Sequence, residues 1–434
     1  MLRAGWNHFK NNTLSLFHRP GTNLAPIDGI RALSQLAVML YHCFFLLRMV
    51  GDPEQFRQIV QQTPWFLGWV WTLDYSVDAF FVLSGYLIAA LLLREHSRTG
   101  RLDFKRFYWR RYLRLTPAYF AFILLFMVLS PRLHPSIWAN FLYVNNLITL
   151  QDMAIPWTWS LAVEEQFYLV FPALLVCLVL PGRHQLFKLS LLWLFSIAMA
   201  ALTYLSDDLL RQSTHQDVFF DDGVFNRYYD HFYVNLHSRF GPFVCGAILA
   251  QALHQHSDKL AGIRAKPWLY NGLNILALLI LVRAGAFNPY TGEPSLGASQ
   301  WHLIVDRNLF GAALAWVIFA TLGNAGVLTP LKHFLSWKVW YPIAQLSYSM
   351  YLFHYVVVIF VITNLLGNLR YFGLLSPDTA FPYLWLLPAY LAVVVLTVIP
   401  ALLLFSTVEK PFILLRDKLG RKPASATIAV QIAR

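Results

Sequence analysis

The stretch that decides the fold is residues 27–50, IDGIRALSQLAVMLYHCFFLLRMV, an apolar segment with the ionisable side chains Arg31 and His42. At about 100° per residue, His42 returns to nearly the same helix face as Arg31, and it lies roughly 16 Å further along the axis. If this helix spans a bilayer, the arginine is at a water boundary and the histidine is near the midplane. An ionisable side chain at that depth is costly, so His42 is a candidate functional residue, the alternative being a neutral histidine hydrogen-bonded inside a bundle.

The composition indicates a membrane protein. The 434 residues are 57% hydrophobic and 13% charged, whereas soluble domains carry about 25% charged residues. The net charge of +12 does not require a nucleic acid partner, because Lys and Arg collect in the cytoplasmic loops of membrane proteins. The three cysteines lie in apolar segments without metal-ligand spacing, so we expect neither disulfides nor a metal site.

Apolar segments long enough to span a membrane recur along the whole chain. They lie near 30–50, 77–93, 115–130, 157–180, 186–205, 239–253, 268–286, 304–322, 343–365 and 384–407. A further segment, 137–150, is short and interrupted by three asparagines. Counting it as a span would place the later basic links outside, against the positive-inside rule, whereas the connection 94–114, with eight basic residues, is expected to be cytoplasmic.

The sequence therefore predicts an all-α polytopic membrane protein with about ten transmembrane helices and both termini cytoplasmic. Segment 137–150 is predicted to be interfacial or re-entrant. Residues 1–27 form a cytoplasmic segment in this interpretation, residues 28–408 the membrane domain and residues 409–434 a cytoplasmic tail. Because no soluble domain is apparent, any chemistry must be carried by the membrane body.

Two adjacent carboxylates, Glu164 and Glu165, interrupt an otherwise apolar helix. They point about 100° apart and cannot face the same partner. Ser160 and Tyr168 lie one turn before and after Glu164 on its face, so we favour Glu164 as the inward group and Glu165 as a paired or protonated one. The alternative is that both carboxylates only bridge helices.

Other charged or ionisable side chains lie at predicted helix boundaries or at mid-depth. Asp78 opens the second helix, Arg239 begins the sixth and His354 lies within the ninth. Each fits an anchor as well as a site, as does Arg31, which Asp28 one turn earlier could neutralise.

Three arginines lie close together at the end of the basic connection: Arg110, Arg111 and Arg114. Guanidinium groups bind phosphates bidentately, so these residues could hold an anionic cofactor. Anionic lipid headgroups are an equally good partner, and the spacing does not choose between them.

Five segments together resemble the acyltransferase 3 family of integral membrane O-acyltransferases, over about residues 28–412. Arg31 and His42 match the family's Arg/Lys-x10-His pattern. The other matching segments are VDAFFVLSGYLI (77–88), RRYLR (110–114), WSLAVEEQFYLVFP (159–172) and LSYSMYLFH (346–354). The resemblance is to the single-domain form, which has no fused esterase-like domain.

The resemblance implies transfer of an acyl group, typically acetyl, from cytoplasmic acyl-CoA to a hydroxyl of an envelope sugar or related acceptor. It implies a multi-pass protein of the cell membrane, the inner membrane in bacteria, with lipid and a glycan as partners. We expect His42 to be the catalytic base or acyl carrier, with Glu164 orienting its imidazole or stabilising the imidazolium cation. The remaining expected roles are catalytic for Glu165 and Arg31, acyl-CoA binding for Arg110, Arg111 and Arg114, and acceptor binding for Asp78, Arg239 and His354.

A proton-coupled secondary transporter is the competing function. His42, Glu164 and His354 would then form a proton relay at mid-depth. The sequence shows neither an inverted repeat nor the paired broken helices of such folds. A flippase or assembly scaffold without chemistry is a third, weaker interpretation, and the acceptor and the acyl length stay open.

Overall fold

The computed structural model describes residues 2–21, 24–50, 53–61, 63–286, 295–371 and 385–419. Within these ranges the chain forms helices and connecting turns and no strand. Nine helical segments of the described chain are long and apolar enough to cross a membrane. The protein is therefore an all-α polytopic membrane protein, which confirms the predicted fold class.

Ten main helices correspond to the ten predicted spans. They are α1 (Ala25–Val50), α2 (Tyr75–Thr99), α3 (Phe104–Leu129), α4 (Trp159–Leu174), α5 (Gln185–Ser206), α6 (Gly241–Gln255), α7 (Pro267–Ala286), α8 (Arg307–Thr321), α9 (Trp340–Tyr371) and α10 (Leu386–Leu404). At 15 residues, α6 is shorter than the nine segments that qualify as spans. The placement of the termini relative to the membrane stays a prediction.

Short helices and single turns connect the main helices. The α-helical ones are Leu2–Leu14, Pro53–Gln61, Ile137–Phe141, Asp208–Gln212, His215–Phe220, Asp222–Tyr228, Leu236–Arg239, Ser257–Arg264, Leu296–Trp301, Thr329–Leu335 and Lys410–Leu419. The 3₁₀ turns are Ser15–Phe17, Trp65–Thr72, Asn145–Leu147, Leu150–Asp152, Pro156–Thr158 and Gly326–Leu328. Segment 137–150 is thus a short helix followed by turns and not a span.

Wide π-helical turns interrupt or extend four helices, at Leu175–Val179, Tyr229–Tyr233, His302–Asp306 and Phe405–Glu409. Such turns are rare and frequently mark functional sites. The last of them joins α10 to Lys410–Leu419 in one apolar helical run, Leu386–Leu419. The domain boundary predicted at 408 therefore falls inside a helix.

Close backbone contact between α2 and α6 fixes the centre of the bundle. A Cβ atom on Gly85 would lie 1.9 Å from the carbonyl oxygen of Phe243, and one on Gly246 would lie 2.1 Å from that of Val82. Both positions therefore require glycine, as small residues permit close helix packing in membranes.

Helix α1 packs against α9, α2 and α10. Arg31, Gln35, Val38 and His42 follow one another at helical spacing along one stripe of α1. The side chains of this stripe line two cavities, Arg31 and Gln35 one of them and Val38 and His42 the other.

Candidate active site

Two cavities lie at opposite ends of α1 and α2. The first, here called the histidine cavity, measures about 170 Å³ and is lined by His42 and the second half of α1. The second, the arginine cavity, measures about 140 Å³ and is lined by Arg31 and the first half of α1. Val77 and Tyr351 line both cavities, so only side chains separate them.

His42 is held by two acceptors on one side of its ring. Its Nδ1 lies 2.9 Å from the carbonyl oxygen of Val38 and 3.2 Å from Nε2 of His354. Nδ1 of His354 lies 2.6 Å from the carbonyl oxygen of Tyr351. A carbonyl oxygen only accepts, so that Nδ1 carries a proton and donates it.

These contacts assign the tautomer of both neutral rings. Because His354 is protonated on Nδ1, its Nε2 is an acceptor, and Nδ1 of His42 donates to it and to Val38. Nε2 of His42 then carries a lone pair, and it makes no hydrogen bond to any residue in the described ranges. The ring lines the histidine cavity, so this lone pair is available to a bound molecule.

The acceptor-binding role expected of His354 stays a prediction, but its side chain directly contacts the ring of His42. It is fully buried and lies behind His42, and it does not belong to the lining of either cavity. The structure therefore gives His354 a positioning contact with the imidazole of His42. The transporter alternative groups His354 with His42 in a relay, but the helical period alone does not predict this direct contact, which joins α1 and α9 across 312 positions.

Aromatic rings form about half of the wall of the histidine cavity. They come from α1, from the turn Trp65–Thr72, from the turn before α4 and the first residue of α4, from the segment 215–233 and from α9: Tyr41, Phe45, Trp71, Trp157, Trp159, Phe219, Phe225, Tyr228, Tyr229, Tyr233, Tyr351 and Tyr355. The rings of Trp157 and Tyr355 stack at 5.0 Å between centroids. Such a wall offers flat apolar faces with hydroxyl groups at their edges.

A buried ionic cluster stands behind this wall. Arg307, which lines the cavity, forms an ion pair with Asp74, and its Nη1 donates to Oδ2 of Asp78 at 2.7 Å. Nη2 of Arg239 lies 3.1 Å from Oδ1 of Asp78, and both of these side chains are completely buried.

Asp78 and Arg239, which were expected to bind the acceptor, are not part of the lining of the two cavities, and that binding role stays a prediction. Their charges are paired with each other and with Arg307. The cavity instead presents Arg307, an arginine at the start of α8 that sequence reasoning missed. The available signal was weak, because Arg307 lies near the boundary of the apolar segment 304–322, where an arginine fits an anchor as well as a site.

Two further histidines line the histidine cavity. The rings of His215 and His302 lie 4.8 Å apart, and Nδ1 of His302 lies 3.1 Å from Oδ2 of Asp306. Burial, with the neighbouring His302 and Arg307, lowers the pKa of His215 well below its ordinary value, so His215 is neutral near pH 7. Within the described ranges, no group of three or more His, Cys, Asp or Glu is placed to hold a metal ion.

Three guanidinium groups line the arginine cavity: Arg31, Arg111 and Arg114. None of them forms a hydrogen bond or ion pair with a residue in the described part of the chain. Asp28, which was expected to neutralise Arg31, pairs with Arg19 at 2.9 Å. Arg111 lies over the ring of Tyr168 at 5.0 Å. The arrangement leaves cationic donors directed at the cavity, as an anionic ligand requires.

Glu164 belongs to the arginine cavity and does not contact His42. One of its oxygens accepts hydrogen bonds from the hydroxyl groups of Ser84 and Tyr168. The direct contacts of the imidazole of His42 are made by Val38 and His354, and the catalytic role expected of Glu164 stays a prediction. Glu165 is not in the lining of either cavity.

Two other placements differ from expectation. Glu409, assigned to a cytoplasmic tail, lines the arginine cavity, and its Oε2 accepts from Ser349 at 2.6 Å. Its position at the end of an apolar run was a signal that sequence reasoning passed over. Arg110 is absent from the lining of the arginine cavity, although it is adjacent in sequence to Arg111.

Comparison with known proteins places the chain in a family. The family model described as an acyltransferase domain matches residues 24–406. The chain is 25% identical to "Nose resistant to fluoxetine protein 6" of Caenorhabditis elegans over 76% of its own length and 44% of that protein. It is 26% identical to "Peptidoglycan O-acetyltransferase OatA" of Listeria monocytogenes over 76% of its own length and 49% of that protein.

The chain therefore spans about half the length of these relatives. No solved structure shows significant similarity to it. The family match covers nearly all of the bundle, including both cavities and the stripe of α1 that joins them. On this basis the chain belongs to the acyltransferase 3 family of integral membrane acyltransferases.

Proposed function

We propose that this protein is a membrane O-acyltransferase. It moves an acyl group, which we propose is acetyl, from acyl-CoA in the arginine cavity to a hydroxyl group in the histidine cavity. The observation that carries the proposal is the free Nε2 of His42 in a cavity that adjoins an arginine-lined one. A base beside an anion site is what acyl transfer from a charged thioester needs.

The donor enters from the cytoplasm in this proposal. The ends of α2 and α3 that approach the arginine cavity flank the most basic connection of the chain, 94–114, and such connections stay cytoplasmic. Arg31, Arg111 and Arg114 would hold the phosphate groups of acyl-CoA, which need several cationic donors. The histidine cavity then faces the opposite side, which in a bacterium is outside the inner membrane.

The acceptor is a sugar in this proposal. The aromatic wall of the histidine cavity offers apolar faces for the C–H face of a sugar ring, while Arg307 and His215 offer polar contacts. The name of the Listeria relative, a peptidoglycan O-acetyltransferase, favours a glycan of the cell envelope.

The geometry suggests how His42 acts. Its Nε2 takes the proton of the acceptor hydroxyl, and Nδ1–H, held by Val38 and His354, keeps the ring in position. The freed oxygen attacks the thioester carbonyl, an oxygen–carbon bond forms, and the carbon–sulfur bond breaks. The proton on Nε2 passes to the leaving thiolate, so ester and free thiol are the products and His42 is restored.

Labelled acetyl-CoA tests the proposal. Sealed membranes containing the protein are supplied with radiolabelled acetyl-CoA on their cytoplasmic side, and glycans are extracted from the other side. Label in a glycan ester supports the enzyme. Proton-coupled uptake of a solute without any label in glycan would instead support the transporter and contradict the proposal.

Loss of Arg111 is expected to weaken donor binding. In Arg111→Leu the KM for acetyl-CoA should rise about 10- to 100-fold, because a hydrogen-bonded charge contact to phosphate is lost. The turnover number kcat should change less than about twofold, since the contact is present before and during the reaction. Initial rates at varied acetyl-CoA measure both constants.

Arg98→Leu serves as the control, because Arg98 is exposed at the end of α2. An equal rise in KM in Arg98→Leu would show that only the general charge of this face matters. A fall in kcat alone in Arg111→Leu would remove Arg111 from the donor site.

Replacement of His354 is expected to slow turnover. His354→Leu should lower kcat by about 10²-fold, because the Nδ1–H of His42 loses one of the two acceptors that hold the ring in position. His354→Gln should recover most of the rate, since an amide can donate to Tyr351 and accept from His42. If His354→Leu and His354→Gln had the same kcat, the hydrogen bond from His42 to His354 would not contribute to turnover, and His354 would contribute only to packing.

A further inference from the structure

Gln35 has an unusual environment for an amide side chain. It lies on the stripe of α1 between Arg31 and His42, it is 0% exposed, and it lines the arginine cavity. Neither Nε2 nor Oε1 has a hydrogen-bond partner among the described residues. A buried amide without partners is costly and rare in folded proteins, so this side chain is suited to a ligand.

The position of Gln35 defines what can reach it. A rise of about 1.5 Å per residue places it roughly 6 Å beyond Arg31 and roughly 10 Å before His42. A donor whose phosphates are held by Arg31, Arg111 and Arg114 must extend its acyl arm along this stripe to bring the thioester to His42. The arm therefore passes Gln35.

The chemistry of the arm matches the chemistry of the side chain. The pantetheine arm carries secondary amides between its phosphate and its thiol, and each amide offers one N–H donor and one carbonyl acceptor. A glutamine offers the complementary acceptor and donor. A pure hydrocarbon arm would leave Gln35 unpaired and would gain nothing from it.

We propose that Gln35 binds a secondary amide of the pantetheine arm of the acyl donor and so sets the depth to which the thioester enters. This inference rests on the proposed function, because it deepens the donor site of the same reaction. Two donors carry this arm: acyl-CoA and an acylated carrier protein. The shared ligand chemistry is the phosphopantetheine, and the experiment separates its two sources.

Binding measurements test the inference without turnover. Purified wild type and Gln35→Leu are titrated calorimetrically with CoA, with pantetheine and with adenosine 3′,5′-bisphosphate, the part of CoA that lacks the arm. The Kd for CoA and for pantetheine should rise about tenfold in Gln35→Leu. The Kd for the bisphosphate should stay within about twofold, and Arg111→Leu should weaken CoA and the bisphosphate together.

Gln251→Leu is the matched control, because Gln251 is also 0% exposed but lines neither cavity. It should leave the Kd for CoA unchanged. Thermal unfolding provides a second measurement. Leucine removes an unpaired buried amide at residue 35, so the Tm of Gln35→Leu should be no lower than that of wild type. If Gln35→Leu does not fold, the more nearly isosteric Gln35→Met replaces it.

The outcomes are distinct. Three results would overturn the inference. In Gln35→Leu the affinity for CoA is unchanged, or it falls by the same factor as the affinity for the bisphosphate. Alternatively, Gln251→Leu loses as much affinity for CoA as Gln35→Leu does. If wild type binds the phosphopantetheine form of a carrier protein, but not CoA, and Gln35→Leu loses that binding, the carrier protein is the source. Gln35-dependent binding without any acyl transfer would uphold the inference while refuting the proposed function, and transfer independent of Gln35 would do the reverse.

Discussion

Replacing His42 by alanine is expected to lower kcat for acyl transfer by about 10²- to 10⁴-fold, the usual contribution of a positioned general base. The Kd for CoA should change less than about twofold, because the imidazole lines the histidine cavity and the donor phosphates are held in the arginine cavity. Single-turnover transfer from labelled acetyl-CoA and calorimetric CoA binding measure the two quantities separately.

His254→Ala is the control for this prediction, since His254 is exposed near the end of α6. It should retain the rate of wild type. Transfer at the wild-type rate in His42→Ala would contradict the proposed base, and the lone pair on Nε2 would then have no part in the reaction.

Replacing Asp78 by alanine is expected to lower the free energy of unfolding by about 3–5 kcal/mol, as is usual when one member of a buried ion pair is removed. Asp78 contacts Arg239 at 3.1 Å and Arg307 at 2.7 Å, and the side chain of Arg239 is completely buried. The variant leaves these cations without their shared carboxylate. Unfolding in mixed detergent micelles, followed by tryptophan fluorescence, measures the change.

A surface pair supplies the comparison. Asp208 pairs with Arg211 while its side chain is 88% exposed, so Asp208→Ala should change stability by less than about 1 kcal/mol. The double variant Asp78→Leu with Arg239→Met should recover part of the loss, because an apolar pair of similar volume can replace a buried ion pair. Equal losses in Asp78→Ala and Asp208→Ala would show that the buried cluster does not stabilise the fold.

The helices and the stripe of α1 were predictable because both depend on local order in the sequence. The length of the apolar segments predicts the membrane spans, and the helical period predicts that Arg31 and His42 lie on the same face of their helix. Both residues line cavities. Whether they are catalytic stays a prediction, but their placement follows from one helix and needs no knowledge of its neighbours.

Contacts between helices were not predictable from the same signals. The partner of His42 is 312 positions away, and Asp78 meets Arg307 across 229 positions. The helical period shows on which face of its own helix a side chain lies, but it does not show which other helix packs against that face. The period therefore places Glu164 on the same helix face as Ser160 and Tyr168, and these three residues line the arginine cavity. It does not show that Ser84 on α2 donates to Glu164.

The connection between α5 and α6 lies outside the predicted spans. It folds into short helices whose aromatic residues, among them Phe219, Tyr229 and Tyr233, form part of the wall of the histidine cavity. Aromatic residues in a polar connection are unusual enough to have been a signal.

Val77 and Tyr351, which line both cavities and separate them, bear on the permeability of the membrane to protons. The hydroxyl of Tyr351 donates to the carbonyl oxygen of Trp157 at 2.7 Å, which holds the phenol ring across the boundary. If the two cavities open to opposite sides of the membrane as proposed, displacement of that ring would let water connect the two sides, and protons would flow down their electrochemical gradient. Under the proposed function, the acyl group must cross the bilayer while the bilayer stays closed to protons, and the anchored Tyr351 ring is the element that would meet both requirements.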